Sequence, residues 1–213
     1  IGQSQKKNIF AQNNSGCARF NFVKKTTRHN ILDVALSVFS HRGVIHTTMD
    51  DVAKASGYGR RTLYTYFKNR DELFEEVIFK ERKVIIGKLN TVIGLNAPTN
   101  IKMENIMLVH MNVIEDLVNR NESLRQEFIK RNDRIDYYRS EIDNHEKYCI
   151  EFILNEGSTN GTYTLADPQT TASIILSSLK GLEKMFILEG FGTPAIETLK
   201  LFNNIILKGI ETP

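Results

Sequence analysis

An all-α fold follows from three features of the sequence: where its prolines lie, the three- and four-residue spacing of its apolar residues, and the helix-start signals ahead of each periodic stretch. All four prolines, Pro98, Pro168, Pro194 and Pro213, fall outside the long periodic segments. The first helix is expected over about 28–42. Leu32, Ala35 and Phe39 recur on one side with Ile31 and Val38 beside them, Thr27 stands where a cap is needed, and Gly43 ends the run. Thr48-Met-Asp-Asp51 has the form of a capping box and opens a short second helix at Met49, which Gly57 stops. Arg60 to Phe67 makes a third helix, and Asn69-Arg-Asp-Glu72 caps a long fourth one running to about Asn90.

Longer helices follow. Asn100–Asn119 carries Ile106, Met107, His110, Met111 and Ile114 along one side, and Asp133–Asn155 carries Tyr138, Ile142, His145, Cys149 and Phe152. After a Gly/Ser/Thr/Asn loop at 157–164, Asp167-Pro168 supplies an N-cap with proline at the first helical position, and a helix continues to about Glu189. Thr193-Pro194 repeats that start, and the last helix reaches Lys208 with Ile196, Leu199, Phe202, Ile205 and Ile206 along it. No internal repeat and no strand pair is found. Residues 1–26 read as a flexible polar, basic arm, 27–70 as one helical domain and 71–213 as a second.

Composition narrows the class. With 213 residues, 41% of them hydrophobic, the chain can bury one large core or two modest ones without metal or disulfide support. Cys17 and Cys149 are too few for a stapled secreted scaffold, and no apolar run approaches the roughly 18 residues of a membrane span. Nothing in the first 25 residues resembles a signal peptide, so a cytoplasmic protein with no membrane partner is expected. The first methionine is Met49, inside a predicted helix, so Ile1 is not expected to be the native start. The net charge of +3 conceals a split: residues 1–70 hold 12 Lys+Arg against 3 Asp+Glu, whereas 71–213 hold 16 against 22. One end attracts a polyanion and the remainder avoids it, unless the lysines belong only to a disordered tail.

The informative stretch is Thr47 to Arg70. Two short helices that cross steeply need a small residue where one passes over the other and a flexible one in the turn; Ala53 and Gly57 meet those needs. Val52, Leu63 and Phe67 are then expected to pack on Leu32, Ala35 and Phe39, leaving Gly59, Arg60, Arg61, Thr62, Tyr64, Thr65 and Tyr66 outward. A DNA major groove admits one helix, and arginine can bond two acceptors of a guanine edge. Arg60 and Arg61 are therefore the expected base readers. Thr48, Tyr64, Tyr66, Lys68 and Arg70 suit phosphates, and Gly59 permits close backbone approach. Tyr64 and Tyr66 could instead be half-buried packing residues.

The run Thr48, Asp51-Val-Ala53, Gly57, Thr62-Leu-Tyr64, Tyr66-Phe67, Asn69-Arg70 and Glu72-Leu73 resembles the DNA-binding domain of the tetracycline-repressor (TetR) family of transcriptional regulators. The resemblance covers residues 28–75, and Gly161-Thr-Tyr163 before Asp167-Pro168, with Gly181-Leu182, resembles the family's penultimate helix more loosely. It implies a homodimer joined through the last two helices, double-stranded operator DNA as partner, and a cavity for a small-molecule effector. The family often has a small aliphatic residue where this chain has Tyr58, and a serine, a single cation and a small residue where it has Gly59-Arg60-Arg61. The docking mode carries over; the base contacts do not.

In the body, Met107, His110, Met111, Ile114, Tyr138, His145, Cys149 and Phe152 are first of all core, and candidate effector contacts second. His145 and Cys149 stand four apart, as two metal ligands can, but no third ligand is suggested, so no metal and no cofactor is expected. No hydrolase elbow, zinc-protease motif, phosphate loop or paired-cysteine motif is present, and no catalytic residue is expected. The expectation is a ligand-responsive repressor. The alternatives are a non-sequence-specific nucleoid-type DNA binder and, further off, a helical enzyme without a recognised site.

Overall fold

A computed structural model of the chain describes residues 10–119, 133–191 and 193–212. Among them are eight helices: α1 (Phe10–Arg42), α2 (Met49–Ser56), α3 (Arg60–Tyr66), α4 (Arg70–Ile93), α5 (Thr99–Asn119), α6 (Asp133–Thr159), α7 (Pro168–Glu189) and α8 (Thr193–Ile210). The sole extended pairing among the described residues is one isolated bridge, Tyr163 with Glu211. The chain divides into two compact units, one ending at Val77 and one beginning at Ile78.

The first unit is built around one apolar cluster. α1 supplies Ile31, Leu32, Ala35 and Phe39; α2 supplies Met49, Val52 and Ala53; Leu63 and Phe67 come from α3 and its C-terminal cap; Leu73 and Val77 come from α4. Because those last two residues belong to this core, the unit extends to Val77 and not to residue 70. Local chemistry sets each end. Gly43 takes φ 78° and its N–H donates to the Phe39 carbonyl at 2.9 Å, closing α1. Thr48 caps α2 in a complete capping box: its Oγ1 accepts from the Asp51 N–H at 3.2 Å while the Asp51 carboxylate accepts from the Thr48 N–H at 2.9 Å. Gly57 closes α2 at φ 70°, a left-handed conformation that suits glycine. Asn69 Oδ1 accepts from the Glu72 N–H at 2.8 Å and starts α4.

One boundary departs from expectation. The backbone is helical from Phe10, so α1 includes residues expected to form a flexible arm, and Thr27 sits inside the helix without capping it. Nothing between residues 10 and 27 forces a break: the segment has no proline, and Gly16 alone costs a helix only about 1 kcal/mol.

The second unit buries a larger cluster drawn from the later turns of α4 and from α5 to α8. α6 packs against α5 and α7, and α5 also lies against α7 and α8. The loop after α6 is pinned by Tyr163, whose ring lies where a Cβ on Gly157 would stand, 2.0 Å from its nearest ring atom. Glycine is required there by space. Thr164 N–H donates to the Ile210 carbonyl and Thr212 N–H to the Thr162 carbonyl, tying the loop to the end of α8. Asp167 Oδ1 then accepts from the N–H groups of Gln169 and Thr170, with Pro168 next, as that start signal predicts. No helix among the described residues is long and apolar enough to cross a membrane.

Candidate functional site

The outer side of α3 carries the chemistry in the first unit. Leu63 and Phe67 are fully buried and fix the helix on its core, so the side chains around them on the other face point outward. Gly59, Arg60, Arg61, Tyr64 and Thr65 are exposed, and Thr62 and Tyr66 are half-buried. Arg60 is not idle: its Nη1 donates to Asp50 Oδ2 at 3.2 Å and its Cζ lies 5.6 Å from the Tyr64 ring centroid. The Tyr64 hydroxyl and the Asp50 charge hold its guanidinium further in the protonated form. The Arg61 guanidinium has no ion-pair or hydrogen-bond partner among the described residues. Below α3, Arg42 pairs with Asp51 at 2.6 Å, and Thr48's hydrogen bonds, followed by Arg42, hold the Asp51 carboxyl below the usual range. The face is thus rich in donors and framed by caps and ion pairs.

The second unit contains a buried charged cluster. His110 on α5 is bonded through Nδ1 to Glu146 on α6, at 3.0 and 2.9 Å from the two carboxylate oxygens. Its Nε2 lies 3.4 Å from Glu183 on α7 and has no hydrogen-bond partner. Arg139 grips Glu183 with two parallel bonds of 2.7 Å. Burial alone would lower the His110 pKa, but the two carboxylates overcome it and raise the value to about 9, so the imidazole is charged at neutral pH. Glu183 is held down to about 2 by His110 and Arg139 against its own burial. Beside the cluster lies a narrow cavity of about 40 Å³ with Ile85, Leu89, Val109, Val113, Ile114 and Ile142 in its wall. A larger depression of about 450 Å³ lies open along Tyr148, Phe152 and other residues of α6 and the turn after it.

Residues 31–77 match the family model described as bacterial regulatory proteins, tetR family. Over that segment the chain is of the tetR type. Over 51 residues it is 47% identical to the HTH-type transcriptional regulator AcrR of Shigella flexneri, an alignment that spans 24% of each protein. Over 194 residues, 89% of this chain and 94% of the relative, it is 22% identical to the HTH-type transcriptional repressor KstR2 of Rhodococcus jostii. In fold it is similar to FadR of Bacillus subtilis, solved in complex with stearoyl-CoA: TM-score 0.66 at 17% identity, covering 86% of this chain and 99% of that one. These relatives are named as transcriptional regulators.

On this tetR-type head the structure gathers most of the expected DNA-facing residues on one side of α3, but three have other work. Tyr66 packs against the first core. Arg70 spends its donors on Asp71 at 3.0 and 3.2 Å and on the Ile45 carbonyl at 3.2 Å, bracing the loop before α2. The Thr48 hydroxyl is engaged by Asp51. Tyr58 packs inward, so the departure at that position is absorbed by the core. Gly59 has extended backbone and space for a Cβ, whose nearest neighbour would be Thr62 Oγ1 at 4.0 Å, so neither strain nor crowding within the unit demands glycine.

In the body, His110 and Ile114 line the cavity. Met107, Met111 and Cys149 belong to the packed core, and burial pushes the Cys149 thiol up to about 11. His145 Nε2 bonds Asn90 Oδ1 at 2.8 Å, Phe152 is exposed on another side of α6, and the Tyr138 side chain lies outside the described residues. Among the described residues no group of three or more His, Cys, Asp or Glu side chains is placed to hold a metal ion. Sequence reasoning missed Arg139, Glu146 and Glu183. A signal existed for two of them: Glu146 stands four residues from both Ile142 and Ile150, and Glu183 four from Leu179 and Ile187, so both acids occupy core register.

Proposed function

We propose that this regulator is a ligand-responsive repressor that binds a near-palindromic operator as a homodimer, each protomer placing α3 in a major groove. The observation that carries this reading is the α3 face itself: Arg60, Arg61, Tyr64 and Thr65 exposed together on a helix braced by fully buried Leu63 and Phe67. Two such helices would lie roughly 34 to 36 Å apart. The large apolar side chains left exposed on the last two helices, Ile174 and Leu188 on α7 and Ile196, Leu201 and Ile205 on α8, support a second copy as their cover. Phe202 packs on its own core, so Ile205→Glu with Leu201→Glu is the sharper disruption. These changes are expected to give monomers by light scattering and to weaken operator binding. Selection of bound duplexes from a random pool tests the whole reading: a recovered palindrome supports it, and uniform coverage without a consensus assigns the protein to nucleoid-type coating.

The effector site we assign to the cavity beside His110. At about 40 Å³ it is far smaller than the roughly 300–1,000 Å³ of a ligand pocket, so an effector enters only by parting α4, α5 and α6. That requirement is the coupling: a ligand with greater affinity for the parted state shifts the population toward it and changes the spacing of the two reading helices. His110, Arg139, Glu146 and Glu183 already balance one another in charge, so an added anion has no cation to meet there. A mainly apolar, uncharged molecule with one hydrogen-bond acceptor suits the His110 Nε2 donor. With 1-decanol and decanoate as matched probes, the alcohol is expected to weaken operator binding and the carboxylate to leave it unchanged; the reverse order rejects this assignment while leaving the DNA reading intact.

A further inference from the structure

We propose that Asp50 is a specificity-determining residue: its carboxylate holds Arg60 against Tyr64, so that Arg60 is offered to a base edge and not to a phosphate. The proposal rests on the reading of α3 as the helix that enters the groove. Asp50 lies in the first turn of α2 and Arg60 opens α3, so the contact joins the two helices across their turn. Arg60 Nη1 donates to Asp50 Oδ2 at 3.2 Å, and Nε stands 3.2 Å from Oδ1. The side chains remain 64% and 50% exposed.

An ion pair that wet contributes little to stability, and an acid in the first turn of α2 serves the helix equally well without touching Arg60, so folding does not account for the contact. DNA attraction does not either. A carboxylate on a surface that meets phosphates weakens binding to every sequence alike, because it opposes the charge neutralisation that drives association. The neighbouring acid Asp51 is explained by the α2 cap, whereas the bonds of that cap leave Asp50 out. What Asp50 does explain is the posture of Arg60. A long, flexible side chain is confined before DNA arrives, between a carboxylate and an aromatic face. Its charge is offset, which reduces its pull on phosphates. Its planar fork keeps the geometry that bonds guanine O6 and N7 together, so sequence-dependent attraction survives while sequence-independent attraction falls.

The test uses the full chain, the duplex recovered by the wild type from a random pool, and a scrambled duplex of equal length. Asp50→Asn and Asp50→Ala are expected to bind the scrambled duplex more tightly and to lower the ratio of the two affinities by about tenfold. Their salt dependence on the scrambled duplex should steepen by about 0.9 in log–log slope, as Arg60 turns to a phosphate. A repeated selection with either variant should lose its preference at one base pair per half-site. Asp50→Glu, which keeps the charge, should restore part of the ratio. Equal tightening on both duplexes with an unchanged consensus makes Asp50 a mere repulsive charge and overturns the proposal, as does no change on either duplex. A wild type that recovers no consensus sinks the groove reading first, and the proposal with it.

Discussion

Arg60 in the first unit and Arg139 in the second both face a carboxylate, yet Arg60 keeps 64% of its side-chain surface in water and Arg139 keeps 17%. The partner acids differ still more, with Asp50 half exposed and Glu183 at 5%. Water makes the first pair exchangeable. An exposed pair is worth about 0–1 kcal/mol, so Arg60 can trade one acceptor for another at little expense. The second pair cannot trade: Glu183 keeps His110 when Arg139 is removed, but the buried cluster of two cations and two anions is left with one uncompensated charge, a loss of about 3–5 kcal/mol. An arginine facing a carboxylate is therefore suited to the proposed recognition in one unit and to internal architecture in the other.

The largest predicted effect follows from stranding that charge. Arg139→Ala should lower unfolding free energy by about 3–5 kcal/mol in chemical denaturation, while Arg139→Met with Glu183→Leu should recover most of it. Equal losses in the single and double variants would break the contrast. The pH dependence sharpens it. The pKa of His110 is raised from 6.5 to about 9, so its contribution is complete below pH 6.5 and is lost as pH rises toward 9. The pKa of Glu183 is lowered from 4.5 to about 2, so its contribution is complete above pH 4.5 and is lost on acidification toward 2. The cluster contributes most between those limits, and His110→Gln should remove the decline on the alkaline side of the stability profile.

That same contrast explains what was legible in the sequence. The head is governed by short-range rules: Thr48 with Asp51, Gly57 at its left-handed turn and Asn69 with Glu72 are each readable within four residues, and the structure forms all three. The apolar pattern of α1 to α3 likewise selects the correct core residues. The body's cluster joins residues 36 and 44 positions apart in the chain, and no local pattern says that His110 will meet Glu146 or that Arg139 will meet Glu183. Helical periodicity places Cys149 correctly on the core side but errs at Phe152, because the buried face of α6 runs through Glu146, Ile150 and Ile153, an acid among them disguising the stripe. The expected boundary at residue 70 ignored Leu73 and Val77 for a related reason: the opening cap of α4 is local, whereas which core its first turns join is not.

Recognition should respond to changes that leave stability alone. Arg60→Ala or Arg61→Ala is expected to cost about 1–3 kcal/mol against the selected operator and to relax one base preference, with the unfolding free energy nearly unchanged. Lys68→Ala should instead weaken selected and random duplexes alike and flatten the salt dependence. Competition binding at two salt concentrations separates the outcomes. Equal losses on both duplexes for the two arginine variants would remove those residues from base reading.

The smallest effects come from three glycines that differ in why they are glycine. Gly57 has φ 70° with open space around it, so Gly57→Ala is disfavoured by backbone conformation alone, about 1–2 kcal/mol. Gly157 has no such angle, but a Cβ would strike the Tyr163 ring, and overpacking of that kind costs about 1–3 kcal/mol unless the ring yields. Gly59 has neither constraint. Gly59→Ala should therefore leave thermal unfolding where it is, and whatever it changes must appear in the complex. A several-fold loss of operator affinity at constant stability would place DNA backbone against the start of α3, since only a partner outside the chain then competes for the space of that methyl group.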